Sequence, residues 1–258
     1  MTKRNTQQRR HNIVAYVNEK QEVSVDGLAK HFATSEVTIR KDLAELEKSG
    51  LLLRRFGGAV AMPQELINHE NCEQVSKRKL SIAKCAASLI RDHNRIIIDS
   101  GSTTASLIYQ LEEKHGLVVM TNSLNVANAL NEVENDITLL MTGGTWDPHS
   151  EAFQGQVAES VLRSYDFDQL FIGADGIDLE RGTTTFNELI GLSRVMAEVS
   201  RQVIVMVESE KIGRRIPNLE LAFEHIHTLV TDNELTKEYK TKLEKMGVKV
   251  ICAPDTQD

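Results

Sequence analysis

A chain of 258 residues is longer than one average domain and shorter than two large ones, so two unequal domains are expected. With 41% hydrophobic and 26% charged residues and a net charge of -7, the composition excludes a disordered or collagen-like chain. The most apolar runs, Ile96-Ile97-Ile98 and Val203-Ile204-Val205-Met206-Val207, fall far short of the roughly 18 residues of a spanning helix. No membrane span is expected, and the polar, basic start of the sequence has no apolar region behind it, so it does not read as a secretory signal. A cytoplasmic location follows as an expectation.

Cys72, Cys85 and Cys252 form no C-x-x-C pair, which argues against a disulfide framework or a zinc site and for reduced thiols. His225 and His227, two apart, suit no helical metal motif, so neither a metal nor a cofactor is expected. Charge is distributed unevenly. Residues 1–62 hold 11 Lys/Arg against 7 Asp/Glu, a net of +4, and the remainder carries -11. A small basic module joined to a larger acidic one suggests that only the first meets a polyanion.

From about Gln7 to Glu19, Ile13, Val14 and Val17 fall on one side of an amphipathic helix. Val23-Ser24-Val25 is a short segment, Leu28, Ala29 and Phe32 mark a second helix, and Ala33-Thr34 makes a turn. Ser35 is a good N-cap for a third helix, in which Ile39, Leu43 and Leu46 share one arc. That spacing leaves Val37, Thr38, Arg40 and Lys41 outward on the first turns, where a recognition helix meets a major groove. Arg40 suits a paired contact with guanine, Val37 a thymine methyl, and Thr38 and Lys41 base edges or phosphates. After Gly50, the run Leu51 to Val60 predicts two short strands around Gly57-Gly58, with Arg54 and Arg55 on one arm. The module reads as a winged helix-turn-helix for double-stranded DNA, with the helix-turn-helix at about residues 23–42.

The pattern resembles the first domain of the DeoR family of bacterial transcriptional repressors. Arg9, Ile13, Val17, Ser35 and Thr38-Ile39-Arg40-Lys41-Asp42-Leu43 match its spacing, with Lys41 where many members carry a second Arg and Phe56 where many carry His. The resemblance places Ser35 among the DNA-contacting residues.

After a polar linker at residues 63–75, helix-like and strand-like runs alternate through residues 76–258, which predicts a parallel or mostly parallel α/β sheet. A helix from about Lys77 to Arg91 presents Leu80, Ala83, Ala87 and Ile90 on one face. Strands are predicted at residues 95–98, 117–120, 137–141, 170–173, 203–207, 228–231 and 248–252. Ligands of such sheets bind beyond the carboxyl ends of the strands. There the sequence places Asp99-Ser100-Gly101-Ser102-Thr103-Thr104, Thr121-Asn122-Ser123, Gly143-Gly144 and Gly173-Ala174-Asp175-Gly176. The first of these, running into a helix, reads as an anion cradle without the Gly-Lys-Ser/Thr of a nucleotide P-loop. Thr183 to Glu188 add hydroxyls, the Asn187 amide and the Glu188 carboxylate, and Lys211 adds a cation. Carboxylates for hydroxyls and cations for phosphate make a site for a polyhydroxylated phosphate.

The family resemblance extends here through similar Asp-x-Gly-Ser-Thr-Thr, Thr-Asn-Ser, Gly-Gly and Gly-x-x-Gly-Ile-Asp stretches, and Thr183 to Glu188 resemble the glucitol (sorbitol) operon repressor branch. It implies a Rossmann-like sensor fold similar to sugar-phosphate isomerases, a phosphorylated sugar or polyol that releases the protein from its operator, and a homodimer or homotetramer. Two departures stand out: His93-Asn94 where Gly-Asp is common, and Glu210 before Lys211 where Ser is common. An isomerase-like enzyme using Asp99, Asp175, Glu188 or Lys211, with an appended DNA-binding module, is the alternative. An architectural DNA-binding protein is the blander one.

Overall fold

A computed structural model describes residues 3–20, 22–48, 52–55, 57–61, 77–133, 136–148, 150–187 and 190–254. The expected linker and Cys72 lie outside them. The chain divides into two compact units, Met1–Gln74 and Val75–Asp258.

The first unit runs α1 (Lys3–Lys20), β1 (Glu22–Ser24), α2 (Val25–His31), α3 (Glu36–Lys48), β2 (Leu52–Arg55) and β3 (Gly58–Ala61). Ser24 accepts the Gly27 N–H at 3.0 Å and starts α2, so Val25 opens a helix and does not belong to the preceding strand. Ala33, at a φ of 47°, turns the chain between α2 and α3. The small antiparallel sheet has the order β1-β3-β2. Gly57 takes a φ of 87° at the hairpin, and a Cβ on Gly58 would overlap the Val23 carbonyl of β1, which explains the glycine pair. Ile13, Val17, Leu28, Ile39, Leu43 and Leu52 form a core that locks all three helices onto the wing.

The second unit begins with α4 (Lys77–Ala87), β4 (Arg95–Ile98), α5 (Ser102–Ala105), β5 (Val118–Thr121), α6 (Leu124–Asn131), β6 (Thr138–Met141), β7 (Thr145–Asp147), β8 (Ala152–Gln154) and α7 (Gln156–Leu162). It continues with β9 (Phe167–Ile172), β10 (Gly176–Asp178), β11 (Gly182–Thr185), α8 (Gly191–Glu198), β12 (Ser200–Met206), β13 (Asn218–Ala222), β14 (Thr228–Thr231), α9 (Lys237–Lys245) and β15 (Lys249–Cys252). Among the described residues, β15-β14-β12-β9-β4-β5-β6 form one sheet whose neighbours all pair in parallel. Its strands are apolar on both faces, as a doubly covered sheet requires. Ile97, Leu170, Val203 and Val205 enter one core, and Ile96, Ile98, Phe171 and Ile204 enter the other.

Three details depart from the expected pattern. The helix begun at Lys77 ends at Ala87, not Arg91, and Leu80 is only partly buried whereas Ile82 and Ala86 are fully so. The strand β9 starts at Phe167 and β12 at Ser200, because their pairing continues outward through Gln169 and Gln202 past the apolar centre. The hairpin β7-β8 and the antiparallel sheet β10-β11-β13 were not expected. His93 sits at a φ of 64°, a left-handed position that accounts for glycine being common there. Cys85 and Cys252 are free thiols; burial, and then the neighbouring Cys252, push the Cys85 thiol up. The His227 Nδ1 accepts the Val203 N–H at 3.1 Å and so braces β12. Among the described residues no group of His, Cys, Asp or Glu is arranged to hold a metal ion, and no helix is long and apolar enough to cross a membrane.

Candidate functional sites

The N-terminal unit positions a helix for groove reading. Ser35 accepts the Thr38 N–H at 3.2 Å and shares a 2.9 Å hydrogen bond with the Thr38 hydroxyl, which fixes the first turn of α3. Ile39, Leu43 and Leu46 are buried, so the core fixes the rotation of the helix about its axis. Val37 at 60% exposure, Arg40 and Lys41 face solvent, and Thr38 is half-buried at the margin. The Arg40 guanidinium pairs with Glu36 Oε2 at 2.6 Å, an exposed ion pair of little energetic weight that a guanine edge can displace. In the wing, the Arg54 N–H donates to Glu47 Oε1 at 3.0 Å and its guanidinium lies 3.6 Å from Glu47. Arg55 belongs to β2, but its side chain lies outside the described residues.

In the second unit the parallel register sets the carboxyl ends of β4, β5, β6, β9 and β12 side by side. The strand order reverses between β4 and β9, the point where ligands of such sheets bind. Asp99 and Asp175 follow these two strands. Loss of hydration pushes the Asp99 carboxyl up to about 6, against hydrogen bonds from Ser100 and Asn122, and the Asp175 charge adds to the rise. Asp175 accepts the Thr185 hydroxyl at 2.7 Å and the Phe186 N–H at 3.1 Å. Asn122 accepts the Ser100 N–H at 3.2 Å and ties the β4 loop to the end of β5.

Several hydroxyls expected to line the cleft are engaged within the protein. Thr104 is fully buried and donates to the Asp99 and Gly101 carbonyls, each at 2.9 Å. The Thr121 hydroxyl accepts the Ser123 N–H at 3.1 Å, and the Ser123 hydroxyl caps α6 by accepting the Val126 N–H. Thr183 accepts the Leu221 N–H, and Thr184 donates to the Gly176 carbonyl. Thr103 is buried, whereas Gly101 and Ser102 are exposed. Gly143 and Gly144 have positive φ, and a Cβ on Gly144 would stand 2.6 Å from the Gln154 carbonyl, so glycine there admits the β8 backbone. The Asn187 N–H donates to Thr185 Oγ1 at 3.0 Å and its carbonyl accepts from Asn218 at 3.1 Å. Glu188 lies outside the described residues.

Lys211 is buried, at 9% exposure, in a short turn after β12, and its N–H donates to the Glu208 carbonyl. Glu210 points away, toward Arg214 at 3.5 Å and Arg78 at 3.9 Å. Two site-adjacent groups escaped the sequence reading. Lys79 of α4 donates to Ser102 Oγ at 2.9 Å and lies 3.9 Å from Glu208, which brings a cation to the cradle from an element 23 residues earlier. Glu220 of β13 is buried; desolvation first, then Asp99 and Asp175, push its carboxyl up to about 8. Lys79 stands in the first turn of α4 on the face that carries the buried Ile82, Ala83 and Ala86, and Glu220 lies in a strand outside the predicted set, so apolar periodicity marked neither charge as part of the site. Two concavities lie elsewhere in this unit: one of about 330 Å3 at Arg95, Asp168 and Arg201, at the amino ends of β4, β9 and β12, and one of about 480 Å3 between Trp146, Glu159 and Leu192.

Comparison with known proteins agrees with this division. The DeoR-like helix-turn-helix domain matches residues 9–65 and the DeoR C terminal sensor domain matches residues 74–233. The chain is 38% identical over 252 residues to a putative aga operon transcriptional repressor of Escherichia coli O157:H7, covering 95% of this chain and 93% of that one. It is 32% identical to the HTH-type transcriptional regulator GlpR of Haloferax volcanii, over 95% of this chain and 96% of the relative. Among solved structures, ribose 5-phosphate isomerase A of Methanocaldococcus jannaschii aligns at 21% identity and a TM-score of 0.39, over 52% of this chain and 53% of that one. With both parts matched and the likeness running the length of the chain, this protein belongs to the DeoR family of DNA-binding transcriptional regulators.

Proposed function

We propose that this regulator represses a sugar or polyol utilisation operon and leaves its operator when a phosphorylated sugar or polyol occupies the strand-end site. The observation that carries the reading is the pairing of Lys79 with Ser102 at 2.9 Å beside the Asp99 and Asp175 carboxylates, an anion-binding corner next to acceptors for hydroxyls. Asp99, Gly101, Ser102, Asn122 and Asp175 are the proposed contacts, with Lys79 and Lys211 as the proposed cations for the phosphate. The resemblance of Thr183 to Glu188 to the glucitol branch puts hexitol phosphates first among the ligands to try, and the glycerol-3-phosphate regulon repressor among the relatives adds glycerol 3-phosphate. We propose the cytoplasm as the place of action, because operator DNA is there, and a homodimer or homotetramer as the working form, because paired recognition helices read half-sites about one helical turn apart.

The test is an operator-binding titration at fixed salt across a panel of sugar and polyol phosphates, each beside its unphosphorylated parent. One phosphate is expected to weaken binding while its parent does not. If no member of the panel shifts the affinity, the effector reading fails and the DNA function stands. The enzyme alternative draws on Asp99 at about 6 and Glu220 at about 8, carboxyls poised near neutrality as acid–base catalysts are. We propose that the site binds without turnover, and conversion of any panel member by the purified chain refutes this.

A further inference from the structure

A buried charge cluster in the DNA-reading unit is not accounted for by the recognition face. Asp42 lies in the second turn of α3 at 2% exposure; its Oδ2 accepts Arg9 Nε at 2.7 Å and its Oδ1 accepts Arg10 Nε at 2.9 Å. A carboxylate is held out of water only when well paired, and here two arginines of α1 pair one aspartate, leaving the cluster with net positive charge. The Arg9 and Arg10 side chains keep 22% and 32% of their surface, and among the described residues neither guanidinium engages a partner besides Asp42. Each guanidinium carries five donors, more than half of one shared carboxylate accepts. Unsatisfied donors therefore stand at the protein surface.

Their position on α3 is informative. At about 100° per residue from Glu36, the exposed Arg40, Val37, Lys41 and Glu45 span an arc from about 40° to 180°, and the core residues Leu46, Ile39 and Leu43 span about 280° to 340°. Asp42 falls at about 240°, at one border of the outward arc. Glu47, which holds the wing residue Arg54, falls near 20°, at the other border. A helix seated in a major groove has a phosphate backbone along each side. Cations stand at both borders of this one.

We propose that Arg9 and Arg10 bind the DNA backbone along one margin of the groove, opposite Arg54, and that Asp42 is the positioning residue that holds them there. The inference rests on DNA binding by this unit. Such contacts are independent of base sequence and set the register of α3 on the duplex.

The test uses the full chain and a mixed-sequence duplex of about 30 base pairs, with affinity measured by fluorescence anisotropy between about 50 and 200 mM salt. Arg9→Gln and Arg10→Gln are each expected to weaken binding about tenfold at low salt and to flatten the slope of log K against log salt by about 0.9 per chain in contact. Lys237→Gln, which removes an exposed cation of the other unit, leaves the slope unchanged. Asp42→Asn gives the sharper contrast. By Coulomb's law alone, deleting an acidic charge beside a polyanion tightens binding; a positioning role predicts weaker binding and a flatter slope. Should Asp42→Asn unfold the unit by circular dichroism, the two arginine variants decide alone. Unchanged slopes in both arginine variants, or tighter binding by a folded Asp42→Asn, would overturn the inference and leave DNA binding intact. A wild-type chain with no salt-dependent duplex binding would overturn both.

Discussion

Replacing Glu220 with glutamine isolates the cost of a charge inside the sensor unit. Glu220 accepts the Ser193 hydroxyl at 2.8 Å, and its burial, with Asp99 and Asp175 nearby, raises the carboxyl from 4.5 to about 8. The folded protein thus holds this proton more tightly than the unfolded chain does. Stability from the proton is complete below pH 4.5 and is lost as pH rises through about 8. At about 1.4 kcal/mol per pH unit, the span from 4.5 to about 8 amounts to about 5 kcal/mol. At pH 7 about 3 kcal/mol of that is already withdrawn. Glutamine has the same shape, keeps an acceptor for Ser193 and never ionises. Glu220→Gln is therefore expected to match the wild type near pH 5 and to exceed it by about 3 kcal/mol at pH 7 and about 5 kcal/mol at pH 9. Urea unfolding followed by Trp146 fluorescence reads the right unit, since Trp146 is the chain's single tryptophan and lies in β7. In heating experiments the pH 7 difference corresponds to roughly 6–12 °C. Stability curves that stay parallel from pH 5 to 9 would refute the reasoning.

Other sites give further expectations. Lys79→Gln removes the cation on Ser102 from a largely covered position in the first turn of α4, 3.9 Å from Glu208; affinity for the proposed effector phosphate is expected to fall about tenfold by calorimetry. Phe171→Ala empties a fully buried position in the central strand β9, for an expected loss of about 3–5 kcal/mol in the same urea titration. Gly144→Ala sets a methyl 2.6 Å from the Gln154 carbonyl at a φ of 115°, so it should lower the stability of the sensor unit by more than about 1 kcal/mol and change Trp146 emission. Ser35→Ala deletes the cap of α3 and is expected to cost about 1 kcal/mol of stability in the N-terminal unit, read by circular dichroism.

The parts legible in sequence are those whose signal is local and repeated. Ile96-Ile97-Ile98 reads as a strand covered on both faces because each residue has an apolar neighbour above or below the sheet, and the period of Ile39, Leu43 and Leu46 fixes which side of α3 is wet. The loop at Asp99 was legible because glycine and hydroxyl residues directly follow a strand. In the same loop Thr104 braces the backbone, and a threonine that does so looks like one that meets a ligand when only the sequence is read. Lys79 and Glu220 reach the strand ends through tertiary contacts from α4 and from β13, one of three short strands whose Gly182-Thr183-Thr184-Thr185 segment lacks any alternation of polar and apolar residues. Asp42 carries the reverse lesson: its place in the motif is legible, but the meaning of a charge at the border of the outward arc depends on two arginines more than 30 positions away.

The turn after β4 is stitched from within, by Thr104 to two carbonyls and by Asn122 to the Ser100 amide. A segment so thoroughly laced has little slack for a guest to take up, and rigid receptors spend little of their affinity on tightening themselves. For the proposed effector the consequence is that little of its binding energy would go into ordering this turn, so the difference between bound and free protein would have to lie in the placement of whole strands and helices, in the way a key turns a lock barrel without bending its pins.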